Sequence, residues 1–159
     1  EGIEGLRKGK RDFKDSDALQ NLALKIAFAL PELSEAQTAA FKVFYTNAEM
    51  EHIGGKCRKL DGAVRYQTKE DYFILIHRKP FAESDDFHKV RMLVHELFHI
   101  EKDEGAFKIR KHRGDFCEIA EHDKFSYQLA LKAMLALGIE YDNQEAIARY
   151  AGIIQKTTT

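Results

Sequence analysis

Apolar positions along the chain fall into a helical opening, a β-rich second quarter and a second half centred on one strongly hydrophobic segment. Leu19, Leu22, Ala23, Ile26, Phe28 and Leu30 recur at helical intervals, which predicts a packing helix capped by Ser16 or Asp17 and stopped at Pro31. Ser34 with Gln37 three residues later is a capping-box pattern that opens a short second helix. From Phe41-Lys42-Val43-Phe44-Tyr45 the texture becomes β-like. Gly54-Gly55 marks a turn, and Asp61-Gly62 is a hairpin signal between residues 56–60 and 63–68. Tyr72–His77, apolar on both faces, completes an expected antiparallel meander of three or four strands that Pro80 closes.

The next segment is different in kind. Ser84, Asp85 and Asp86 cap a predicted helix over 84 to 102 whose Val90, Met92, Leu93, Val94, Leu97, Phe98 and Ile100 leave almost no polar side. A helix apolar all round is buried. Its interruptions include His95, Glu96 and His99, and burying them is costly unless a metal, a cleft or one another satisfies them. In a helix the two histidines lie one turn apart and leave the same face, while Glu96 stands about 100° round from His95. That is the spacing by which a zinc peptidase holds its ion with two imidazoles and sets a carboxylate beside the metal-activated water. A surface helix carrying two histidines by chance would have polar neighbours, and this one does not.

Composition adds bounds. The 159 residues are 44% hydrophobic and 32% charged with a net charge of −1, which suits one compact domain over 16–155 between a solvated arm at 1–15 and a frayed tail at 156–159. Further helices are predicted over 123 to 137, with Phe125, Leu129, Leu131, Met134 and Leu135 buried and Gly138 as its stop, and over 143 to 154. Cys57 and Cys117 form no CxxC pair and read as reduced thiols of a cytoplasmic protein. No membrane span or export signal is evident.

A catalytic zinc takes three protein ligands and leaves one position open. Position 105 is Gly, with no histidine close behind, which excludes the metzincin spacing. Glu118 and Glu121 stand where a following helix would supply a glutamate, and His112 stands thirteen positions beyond His99.

His112-Arg113-Gly114-Asp115-Phe116-Cys117 resembles the segment that follows HExxH in SprT/Spartan-like zinc peptidases, and resembles more closely that of the phage and archaeal metallopeptidase group. The order of parts is similar as well: an N-terminal helix, a small sheet with Gly55-Lys56-Cys57, an apolar strand, the HExxH helix and a distant histidine. Arg113 departs from the Spartan-like pattern, in which glycine directly follows the third histidine. The resemblance implies an α+β, zincin-like minimal metallopeptidase with a small antiparallel sheet packed on the HExxH helix. It implies one Zn2+ held by His95, His99 and His112, Glu96 as general base, and protein or peptide substrates, DNA-associated ones among them.

Other residues have secondary expectations. Lys108, Arg110, Lys111 and Arg113 form a basic cluster beside His112, read first as a solvated loop and second as a DNA contact. Asp115 or Asp123 is placed to orient a ligand imidazole. His122 is a candidate oxyanion donor, while His52, His77 and His88 read as surface or strand-end residues. Tyr72–His77 is a candidate edge for pairing with an extended substrate. The rival function is a metal-stabilised binding or regulatory module, in which a fourth side chain such as Cys117 or Glu118 closes the site.

Overall fold

A computed structural model describes residues 12–47, 54–118 and 122–139. In chain order its elements are β1 (Phe13–Asp15), α1 (Asp17–Ala29), α2 (Ser34–Thr38), β2 (Phe41–Thr46), β3 (Gly55–Lys59), α3 (Gly62–Thr68), β4 (Tyr72–His77), α4 (Arg78–Glu83), α5 (Asp86–Phe98), β5 (Ile100–Asp103), β6 (Ala106–Ile109) and α6 (Lys124–Leu137). The fold is α+β, with α1, α5 and α6 packed together on one side of a four-stranded sheet.

The sheet is mixed, not the antiparallel meander expected. Its order is β1-β2-β4-β3, with β2 and β4 parallel and the outer pairs antiparallel. The cause lies at Asp61-Gly62, which starts a helix where a hairpin turn was expected. Gly62 has φ +54°, α3 follows it, and Lys69 ends the helix in the left-handed conformation. The chain thus returns as β4 between β2 and β3. Tyr72, Ile74 and Ile76 are fully buried on the helix-facing side, and Leu75 is nearly buried on the other. Tyr72–His77 is therefore a central strand with both edges paired, and it offers no edge to a substrate. Among the described strands of this sheet the edges are β1 and β3.

Other boundaries shift for identifiable reasons. Part of the expected arm is strand, since residues 13–15 pair with β2. Ser16 caps α1, its hydroxyl accepting from the Leu19 N–H at 3.1 Å, while Phe28 is exposed. The capping box at Ser34 does not form. Gln37 instead donates to the carbonyls of Ala27 at 2.8 Å and Leu30 at 3.3 Å, closing the end of α1. Pro80 lies within α4. The motif helix ends at Phe98, because Ile100 onward pairs with β6 across a turn in which Glu104 and Gly105 both have positive φ. Asp123 caps α6, Gly138 ends it with φ +69°, and Leu135 faces outward. The helix expected at 143–154 lies outside the described residues, as do residues 1–11 and the tail. No helix among the described residues is long and apolar enough to cross a membrane.

Candidate metal centre

α5 carries the site because its burial is nearly complete. Asp85 caps it, accepting from the His88 N–H at 2.9 Å, and Phe87, Val90, Leu93, Val94 and Leu97 anchor it in the core. His95 is 2% exposed, and His99, at its C-terminal cap, is 9% exposed. The chain then runs through the β5–β6 hairpin and returns His112 to the same place. Ring nitrogens of His95, His99 and His112 all lie within 4.8 Å of one another. The Nε2 atoms of His95 and His112 are 3.0 Å apart.

Hydrogen bonds on the far side of the rings decide which nitrogens point inward as bare acceptors. His99 Nδ1 is 2.6 Å from the Arg110 carbonyl, which can only accept, so Nδ1 carries the proton. His95 Nδ1 lies 2.7 Å from Asp123 Oδ2 and donates to that carboxylate. Both Nε2 atoms therefore present lone pairs. Burial holds these rings neutral, pushing His99 down to about 4 and lowering His95 against the opposing pull of Asp123. Two imidazole nitrogens bared by their outer hydrogen bonds, converging with a third ring, form a donor set that fits a divalent ion that accepts imidazole.

A short turn delivers the third ring. Arg113 and Phe116 exchange backbone hydrogen bonds of 2.7 and 3.1 Å, and Gly114 supplies the left-handed residue at φ +60°. Gly114, two positions after His112, thus makes the turn. Phe116, 4% exposed, touches all three imidazoles, with centroid distances of 4.6, 4.9 and 5.1 Å to His95, His99 and His112. His112 itself is exposed.

Arg110 holds this loop to α5. Its backbone N–H donates to the His99 carbonyl at 2.7 Å and its Nε to the Phe98 carbonyl at 2.8 Å. The guanidinium stacks on Phe98 and pairs with Glu35 and Glu101. Lys108 is paired with Asp103 at 2.9 Å. Of the expected basic cluster, Lys108 and Arg110 are thus engaged within the fold, while Lys111 and Arg113 stand exposed.

Glu96 is 2% exposed and turns towards β3, where a Cβ at Gly55 would meet its Oε2 at 3.1 Å. Burial chiefly, then the charge of Asp123, pushes its carboxyl up to about 8, against the lowering effect of Arg91. Behind it the Cys57 thiol is also pushed up, by burial and by Glu96. Arg91, one turn before His95, is 4% exposed; its Nε and Nη1 make no hydrogen bond among the described residues, and its guanidinium lies over the Tyr127 ring. No periodicity or spacing in the sequence marked Arg91 or Glu35, and Arg110 was marked only as a member of the basic cluster.

Among the described residues the three histidines form the cluster, and Glu118 is not part of it. Glu121 and His52 lie outside the described residues. Asp123 takes the orienting position and Asp115 does not; the Asp115 carbonyl accepts from the Phe125 N–H. His122 is exposed, His77 ends β4, and His88 bonds Asp85.

Three imidazoles whose ring nitrogens converge, with the buried Glu96 carboxyl next to His95 on the same helix, define a candidate single-metal hydrolytic centre on an α+β scaffold. The chain belongs to the family described as "Putative phage metallopeptidase", which matches residues 11–143. No curated protein and no solved structure matches the chain.

Proposed function

We propose that this metallopeptidase-family chain is a zinc-dependent endopeptidase of the HExxH type, related to SprT/Spartan-like enzymes. The observation that carries the reading is the convergence of the His95, His99 and His112 ring nitrogens, with two tautomers set by Asp123 and the Arg110 carbonyl. These three residues would hold one Zn2+. When bound, the ion supplies a Lewis acid that polarises a peptide carbonyl and acidifies water. Glu96 is the general base: its carboxylate takes a proton from the attacking water and passes it to the leaving amine nitrogen. The exposed ring of His112 leaves the centre approachable from solvent, which favours an enzyme over a closed structural site.

Substrate would lie extended along β3. Among the described strands this one is an edge of the sheet, and a side chain at its Gly55 would run into Glu96. Of the basic cluster, a DNA-associated substrate would rest on Lys111 and Arg113, and a salt titration of single-stranded DNA binding tests it. The decisive experiment for the peptidase is Glu96→Gln. This variant should bind zinc as wild type does while its cleavage of an unfolded protein falls at least about a hundredfold, the lower end of a general base's contribution. Equal cleavage by both proteins would refute the assignment.

A further inference from the structure

The two edges of the sheet are charged differently. β1 presents Phe13, Lys14 and Asp15, cation and anion side by side. β3 reads Gly55-Lys56-Cys57-Arg58-Lys59, with three cations and no acid. Its register sorts them by face. Cys57 pairs with Ile74 on the buried, helix-facing side, where it meets Glu96. Lys56 and Arg58 pair with Leu75 and Phe73 on the opposite face, and both are exposed. Lys59 is engaged by Asp61, whereas among the described residues no ion pair holds Lys56 or Arg58.

A peptide added to an edge strand alternates its side chains between the two faces. If it pairs with β3, the residue opposite Cys57 turns towards Glu96 and the metal centre. Its two neighbours, which are two residues apart, come opposite Lys56 and Arg58 at cross-strand distance, about 4.5–5.5 Å between Cβ atoms. We infer that Lys56 and Arg58 are specificity-determining residues that select extended peptides with acidic side chains on both sides of the residue facing the metal centre. This rests on the peptidase reading for its consequence in cleavage but not for its consequence in binding. Cations on an edge also hinder sheet-to-sheet aggregation, and that role alone predicts no preference between acidic and basic peptides.

The test uses the zinc-loaded Glu96→Gln protein and fluorescein-labelled alanine-based peptides carrying Asp, or Lys, at two positions two apart. Anisotropy should give roughly tenfold tighter binding of the Asp peptide, as expected for two opposite-charge cross-strand pairs. The preference should fade in about 1 M salt, where screening acts within about 3 Å. Lys56→Glu with Arg58→Glu should reverse it, and Lys14→Glu on the other edge should leave it in place. If the charge-reversed protein does not fold, Lys56→Gln with Arg58→Gln should abolish the preference. Equal affinities for the two peptides, no binding of either, or a ratio unmoved by these substitutions in a protein that still takes up zinc would overturn the inference. Preferential binding of the Asp peptide that wild-type zinc protein leaves uncleaved would instead refute the peptidase reading and leave this one standing.

Discussion

The candidate ligands on α5 and the candidate ligand on the 110–116 loop are held by opposite means. His95 and His99 project from a helix that the core immobilises, and their rings are buried before any ion arrives. His112 is exposed, and its position depends on a glycine turn, the Phe116 ring and the polar clamp of Arg110. Two donors are thus preset by hydrophobic packing, and the third is supplied by groups far apart in the chain. Folding and metal capture separate in such a site, because only the helical pair belongs to the core.

The largest expected effects follow from that separation. His95→Ala and His99→Ala should each lose tight zinc binding and also remove a buried ring from the metal-free protein, costing about 2–4 kcal/mol. His112→Ala should weaken zinc binding by at least about a hundredfold while changing metal-free stability by less than about 1 kcal/mol. Chelator competition and urea unfolding in EDTA measure the two quantities. If His112→Ala destabilised the metal-free chain as much as His99→Ala, the distinction between core and loop would collapse.

Proton linkage sharpens the same contrast within α5. Glu96 has its folded value raised to about 8 from 4.5, so between those values the native state holds a proton that the unfolded chain does not. Stability of the metal-free protein should therefore fall as pH rises from about 6.5 through 8, by up to about 2 kcal/mol. His99, lowered to about 4 from 6.5, acts in the other direction: the unfolded chain takes a proton that the native state refuses, and stability falls with decreasing pH in that window. The two slopes oppose below 6.5, and Glu96 acts alone above it. Urea midpoints in EDTA at pH 6.5 and 8 should differ for wild type and coincide for Glu96→Gln. A slope that survives this substitution would assign the effect to another group.

Much of the α5 side was legible in the sequence and much of the rest was not. Helical spacing determines which face His95 and His99 share, whatever surrounds them, and the apolar stretch announced its own burial. The same logic marked Asp123 only as one of two candidates, because which residue reaches a ring depends on how α6 packs on α5. The sheet failed where a short signal has two outcomes: Asp-Gly suits a hairpin, but it can also precede a helix, as α3 does. A stronger cue was present in Tyr72–His77, whose apolar residues on both faces mark a central strand and argue against an edge. Glu104-Gly105 was missed because glutamate seldom adopts positive φ. Arg110 and Glu35 lie 75 positions apart, and no local pattern joins them.

That long-range pair supports the smallest prediction and tests the loop side alone. One oxygen of Glu35 accepts from the Lys102 N–H at 2.8 Å and the other from the Arg110 guanidinium, so a single carboxylate ties α2 to both ends of the stretch that returns His112. Both partners of the ion pair are partly solvated, with side-chain exposures of 24% and 33%, and screening limits what the pair contributes to stability. Glu35→Ala should therefore lower the unfolding free energy by no more than about 1 kcal/mol. Its effect on zinc should be about threefold to tenfold, because Arg110 keeps Glu101 and the Phe98 carbonyl but loses the contact that fixes where α2 meets the loop. Glu35→Gln keeps an acceptor for Arg110 and should recover much of the affinity. Unchanged zinc affinity in Glu35→Ala would mean that the Gly114 turn and Phe116 position His112 unaided, and the clamp would then serve the fold and not the metal.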